Sequence, residues 1–265
     1  MRGPSLLLLL AALTATPASA AETAADPLAS GMWDGVRKEL FGDAPTVFDD
    51  RVQVLAPANA EDAMNVPVTV DARALPDVRE IVVFADANPI IKVASLEPVR
   101  AEPYLGLRLK LQQGSPVRAA ARTPDGVWHV GGVFVAASGG GCTAPASARA
   151  TDDWVARLGE MGARAWPEAD GAQRVRFRVY HPMDTGLAPG IPAFFVERLE
   201  VRDERGEVLA RVAPAEPVSQ HPTLTLLLRP APGARQLTVD GRDTDGNIVR
   251  GKVPLAWRES RLLAQ

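Results

Sequence analysis

The 265-residue chain holds a single cysteine, Cys142, at the end of Ser138-Gly139-Gly140-Gly141-Cys142 and ahead of Thr143-Ala144-Pro145. From Ala136 to Ala148 this run has no large apolar side chain with which to bury itself. Three successive glycines maximise backbone freedom, so Gly139, Gly140 and Gly141 are expected to form a swinging arm with an exposed, mobile thiol. A catalytic cysteine needs a base or a positive field to make thiolate, yet the nearest charge along the chain is Arg149, and His129 falls on another expected strand. At an ordinary pKa near 8.5, only about 3% of such a thiol is ionised at pH 7. That makes a poor self-activated nucleophile but an adequate attachment point. The chemistry that fits is covalent carriage, in which other proteins load and unload the thiol, and no catalytic residue is assigned.

The other chemistry-bearing residues are dispersed. His129, His181 and His221 are scattered and show no zinc spacing with cysteine, and Cys142 lacks the neighbouring His and Met of a blue-copper loop, so neither metal nor cofactor is expected. Gly139 to Gly141 is not followed by Lys-Ser/Thr and is no phosphate loop. The stripe Arg174, Arg176, Arg178 reads as the solvated face of a sheet. His181-Pro182-Met183-Asp184-Thr185-Gly186 closes a strand-like run. It reads as a turn, with His181, Met183, Asp184 and Gly186 in a structural or docking role.

These residues must be positioned by β elements. The 22 glycines and 23 prolines work against long helices, while 46% hydrophobic and 23% charged residues are the composition of a globular protein with a core to bury. A net charge of −3 offers no basic excess for nucleic acid. Arg2, the apolar run Leu6 to Leu13 and Ala18-Ser19-Ala20 have the order of a cleaved signal peptide over residues 1–20, too short to span a membrane, and imply export without a membrane anchor. Next, Asp26 to Phe41 places Leu28, Met32, Val36 and Leu40 at steps of four, an amphipathic helix with Asp26 as N-cap.

Up to residue 136 the period is two: Val66, Val68 and Val70, then Leu105, Leu107, Leu109 and Leu111, with Thr123-Pro124-Asp125-Gly126 as a hairpin turn. Over 172–258 the alternation returns in Val175, Phe177 and Val179 and in Leu224, Leu226 and Leu228, with Asp245-Gly246 as a second hairpin turn. Between the blocks, 137–166 is expected to hold the arm and a short linker helix carrying Trp154, Leu158, Met161 and Ala165 on one face. The expected architecture is all-β: two β-sandwiches in tandem, over 26–136 and 172–258, with an N-terminal helix and a linker helix.

Three stretches, VVFADANPIIKVASLEP (82–98), VWHVGGVFVAASGGGC (127–142) and RVRFRVYHPMDTG (174–186), together with DTDGNIVRGKVPL (243–255), carry a family likeness. The chain resembles the SoxYZ carrier of periplasmic sulfur oxidation with both subunits in one chain. The first block is similar to the cysteine-bearing Y subunit and the second to the Z subunit, whose hallmark is a His-Pro-Met-(Glu/Asp)-Thr-Gly turn. The resemblance implies an immunoglobulin-like fold for the first sandwich and a related one for the second, and a non-enzymatic periplasmic carrier with sulfur intermediates S-linked to Cys142. Sulfur-oxidation enzymes would act on it, thiosulfate oxidation being the family's setting, or, as in fused carriers of this type, a quinoprotein (PQQ) dehydrogenase with its cytochrome would be the partner. The alternative is a non-covalent accessory or scaffold for such a dehydrogenase. Family cysteines sit near a free C-terminus flanked by glycines on both sides, whereas Cys142 is followed by a whole second block. Its arm must therefore enter a partner as a double strand, reaching at most roughly 23 Å.

Overall fold

The structure, a computed structural model, describes residues 25–150 and 153–256. The expected signal peptide over 1–20 and the last residues of the 172–258 block lie outside them. The first half contains α1 (Trp33–Phe41) and strands β1 (Thr46–Phe48), β2 (Gln53–Leu55), β3 (Asn59–Ala60), β4 (Val66–Asp71), β5 (Glu80–Ala85), β6 (Lys92–Glu97), β7 (Ala101–Leu109), β8 (Ser115–Arg122) and β9 (Trp128–Ala137). A 3₁₀ turn (Ser147–Ala150) and the four-residue α2 (Trp154–Arg157) lead into the second half. There the strands are β10 (Met161–Pro167), β11 (Gln173–Val179), β12 (Asp184–Thr185), β13 (Ala193–Phe194), β14 (Val196–Asp203), β15 (Val208–Pro214), β16 (Thr223–Leu228), β17 (Gln236–Asp243) and β18 (Ile248–Pro254).

Both halves are immunoglobulin-like, and they join edge to edge. One sheet runs β1-β9-β8-β5-β6-β15-β14-β17-β18 and the facing sheet β10-β11-β16-β7-β4-β2. The seams are the antiparallel pairs β6–β15, with Leu96 opposite Val212, and β7–β16, with Leu105 opposite Leu226. Because both sheets cross the junction, the apolar faces fuse into one core in which Val93, Leu96 and Leu105 pack with Val212, Leu226 and Leu228. An edge strand left open exposes unpaired N–H and C=O groups, and here each half covers the other's edges. The alternating residues singled out in the sequence point inward as expected: Val66, Val68, Val70, Val175, Phe177 and Val179 are all buried. Both hairpin turns form, with Gly126 and Gly246 at positive φ.

Two helix expectations are corrected. α1 starts at Trp33, and Asp26 does not cap it. Instead the Asp26 carboxylate accepts the N–H groups of Leu28 and Ser30 in a turn upstream. The buried face is Trp33, Val36 and Phe41, while Met32 is exposed, because the aromatic rings find Phe84 and Trp128 on the outer face of β5 and β9 and bury more area there than the aliphatic stripe would. The linker helix shrinks to α2, and Met161 to Pro167 form β10 instead. That segment also alternates with period two, and β11 offers it a full ladder from Met161 opposite Val179 to Pro167 opposite Gln173, whereas Gly159, Gly162 and Pro167 are poor helix formers.

Candidate functional site

Cys142 does not hang in solvent. It is fully buried, which overturns the expected exposed arm. The arm lies on the β7–β8 connection: Gly140 N–H and Gly141 N–H donate to the carbonyls of Gln112 and Leu111, each at 3.0 Å, and Leu111 N–H donates to Ala63 at 2.7 Å. Cys142 N–H donates to Gln112 Oε1 at 3.3 Å, and Sγ sits 3.7 Å from the Lys110 carbonyl. The glycines serve this close approach. A Cβ on Gly141 would stand 2.2 Å from the Ala63 carbonyl oxygen and 2.6 Å from that of Leu111, and Gly139 and Gly140 hold positive φ. Small side chains let a backbone lie flat against another backbone, and that places the thiol inside without a large apolar neighbour in sequence.

The second half closes the site. Thr185 donates its hydroxyl to the Cys142 carbonyl at 2.5 Å, and Asp184, itself buried, pairs with Arg149 at 2.6 Å in the turn that follows the arm. Arg149 is further held over the ring of Trp154, 4.6 Å from its centroid. The His181–Gly186 turn is thus the wall against which the arm rests. Its own conformation is fixed by His181, whose Nδ1 accepts Met183 N–H at 3.0 Å, so that Nε2 carries the proton toward Asp243 Oδ2 at 3.4 Å. Asp243 in turn accepts the N–H groups of Asp245 and Asn247, which ties the turn to the β17–β18 hairpin. Met183 takes a positive φ and is fully buried, and a Cβ on Gly186 would press at 3.0 Å on the backbone of Ala193. Of the residues singled out by sequence, Cys142, the glycines, Asp184 and, through it, His181, Met183 and Gly186 come together. His129 does not, being engaged with Asp49 and Thr123.

Sequence reasoning missed Lys110. It follows Leu109 in the run of alternating leucines, where a polar side chain reads as outward-facing. Its ammonium instead runs inward across the junction, donating to the Met183 carbonyl and, at 3.4 Å, to that of Glu216. Burial lowers its pKa to about 8, opposed by the acidic groups of Cys142, Asp184 and Glu216, so it remains largely protonated at pH 7. Burial likewise pushes the Cys142 thiol up to about 11 against the attraction of Lys110. The docked thiol is therefore neutral, with roughly one in 10⁴ ionised at pH 7, and beside a cation that would favour its anion. Among the described residues no cluster of His, Cys, Asp and Glu could hold a metal ion.

The histidines give the site a pH dependence. Burial lowers His181 to about 4, and burial together with the charges of Arg178 and Arg157 lowers His221 to about 4. Between about pH 6.5 and 4 the unfolded chain then binds protons that the folded chain refuses, so stability falls as pH falls through that window. A melting temperature followed from pH 7 to 4 is expected to drop, and to drop less in His181→Asn. Equal slopes in the two proteins would show that His181 is not held neutral.

Comparison with known proteins follows the same division of the chain. The family model for sulfur oxidation protein SoxY matches residues 37–142, ending on the cysteine, and that for sulphur oxidation protein SoxZ matches residues 163–254. No curated protein sequence matches the chain. Among solved structures, the sulfur carrier protein SoxY from Chlorobium limicola f thiosulfatophilum is similar at 26% identity, over 40% of this chain and 96% of that one, with a TM-score of 0.37. A beta-glycosidase from Bacteroides vulgatus matches at 11% identity over 83% of this chain and 26% of its own, with a TM-score of 0.24. TM-scores this low carry no argument, and the assignment rests on the two family models. The chain belongs to the sulfur-oxidation (Sox) proteins, as a SoxY domain followed by a SoxZ domain.

Proposed function

We propose that the protein is a periplasmic covalent carrier that holds sulfur intermediates on Cys142 and is itself acted on rather than catalytic. The observation that carries this reading is the position of the lone thiol. It ends the SoxY match, and the hallmark turn of the SoxZ domain holds its backbone through Thr185. Making an S–S bond at a thiol is a two-electron oxidation, so a partner oxidoreductase takes the electrons. Loading requires the arm to leave its docked position, where Sγ is enclosed. Once the thiol is solvated its pKa returns toward about 8.5, and its ionised fraction at pH 7 rises by a few hundredfold. In this scheme the SoxZ half is the latch that keeps an unloaded, reactive sulfur out of solution.

Burial of Cys142 also favours a second reading, in which the thiol is inert and the fused domains are a non-covalent accessory module for a periplasmic quinoprotein dehydrogenase. Mass spectrometry of protein taken from its native compartment separates the two. Sulfur adducts on Cys142 are expected for the carrier, and a uniformly bare thiol, together with full pathway activity in Cys142→Ser, would leave only the accessory role.

A further inference from the structure

On the outer face of the sheet that runs β10-β11-β16-β7, the two halves of the chain enclose an open cleft of about 490 Å³. Its walls carry Arg164 from β10, Arg176 and Arg178 from β11, and Arg108 from β7. All four side chains are exposed, and among the described residues none has a carboxylate within ion-pair distance. Their neighbours differ in this respect: Arg174 is paired with Glu168, Arg157 with Glu160, and Arg229 with Glu102 and Asp170, so the acidic groups at the rim are already engaged. Arg164 stands directly opposite Arg176 in the ladder. Like charges facing one another across strands are destabilising, and among the described residues no carboxylate pairs with either arginine.

The floor is low. Gly162 faces Arg178, and Arg176 leads across Thr225 to Gly106, where a Cβ would already touch Thr225 at 3.2 Å. Small residues between long cations make a trough rather than a flat face. Trp166 stands partly exposed at the rim beneath Arg164, 5.1 Å from guanidinium to ring centroid, and Trp and Arg are both residue types enriched at the energetic centres of protein interfaces. The lowered pKa of His221, to which the charge of Arg178 contributes after burial, reports the same positive field from inside the trough.

We propose that this trough is a docking site for an acidic segment of a partner protein. The argument is one of charge and span. Adjacent strands lie about 4.8 Å apart, so the guanidiniums extend over about 14 Å of sheet from β10 to β7. One tetrahedral oxyanion reaches two of them, whereas carboxylates spaced along an extended chain reach all four, each able to take an arginine fork in bidentate fashion. The site spans the junction, with Arg108 from the SoxY half and the other three from the SoxZ half, so it exists only when the halves are joined. It uses neither Cys142 nor the arm, and stands whether or not that thiol carries sulfur.

The test uses the full chain and a capped hexaglutamate peptide, titrated by calorimetry at low ionic strength. Saturable one-to-one binding is expected. It should weaken by at least about tenfold in Arg176→Gln/Arg178→Gln and move in the same direction in Arg108→Gln, which lies on another strand and guards against a folding defect in the double variant. Arg242→Gln/Arg250→Gln makes the same change in net charge on the other sheet, where both arginines have carboxylate partners, and should leave binding unchanged. Absence of hexaglutamate binding, or equal weakening by both double variants, would overturn the site. Saturable binding of sodium sulfate that displaces the peptide completely at matched ionic strength would overturn the acidic segment in favour of a small oxyanion.

Discussion

Iodoacetamide is expected to alkylate Cys142 in the native chain at neutral pH at least about a hundredfold more slowly than in the urea-unfolded chain. The thiol is enclosed and held near pKa 11, and alkylation requires thiolate in contact with reagent, so reaction proceeds only through opening of the arm. The two contacts that tie the arm to the SoxZ turn are separable from the rest of the fold: the Thr185 hydroxyl on the Cys142 carbonyl and the buried Asp184 carboxylate on Arg149. Removing both as Asp184→Asn/Thr185→Val withdraws about 2 to 4 kcal/mol of hydrogen bonding and ion pairing. That raises the alkylation rate by about 30-fold or more, since about 1.4 kcal/mol corresponds to tenfold. Gly141→Ala should act in the same direction by another route, because its Cβ meets two carbonyl oxygens that belong to the frame and cannot yield. A native chain that labels as fast as the unfolded one would end the latch as an explanation.

Replacing Arg118 by Met is expected to cost about 3 to 5 kcal/mol of folding stability, the range for breaking a buried ion pair by removing one partner. The guanidinium is 1% exposed and serves two carboxylates. Nε lies 3.0 Å from Asp86 Oδ2, and Nη2 lies 2.7 Å from Asp26 Oδ2. It also sits over the ring of Trp33, at 4.9 Å from the centroid, so this one side chain couples the N-terminal turn, α1 and the sheet. Space for its stem depends on Gly132, where a Cβ would fall 2.8 Å from Arg118 Cγ. Burial raises the Asp86 carboxyl despite the nearby arginine, and without that arginine the acid is left enclosed and unpaired. The double variant Arg118→Met/Asp86→Leu should recover part of the loss. Urea unfolding of the three proteins measures it, and a loss below about 1 kcal/mol in Arg118→Met would show the network to be incidental.

The sequence by itself determined the class of fold and the residues worth watching. Alternating valines and leucines can bury one face only as strands, the Pro-Asp-Gly and Asp-Gly turns set two hairpins, and a lone cysteine after three glycines marks the SoxY end. These are local signals, legible because side-chain period and turn chemistry act over a few residues. Tertiary structure decided the rest. Met161 to Pro167 fits a helix or a strand by pattern, and only the open edge of β11 makes it β10. Glycines in a row signal freedom, yet these three are used because Ala63 and Leu111 offer carbonyls against which a side chain would collide. Lys110 continues an outward-facing pattern but turns inward because the SoxZ half, more than 70 residues away, brings the Met183 carbonyl to meet it. Arg176 and Arg178 of β11 look like a solvated face until β10 and β7 add Arg164 and Arg108 around them, with no carboxylate paired to the four among the described residues. Each of these outcomes depends on which distant backbone arrives at a given edge, and sequence periodicity, acting over a few residues, carries no information about that.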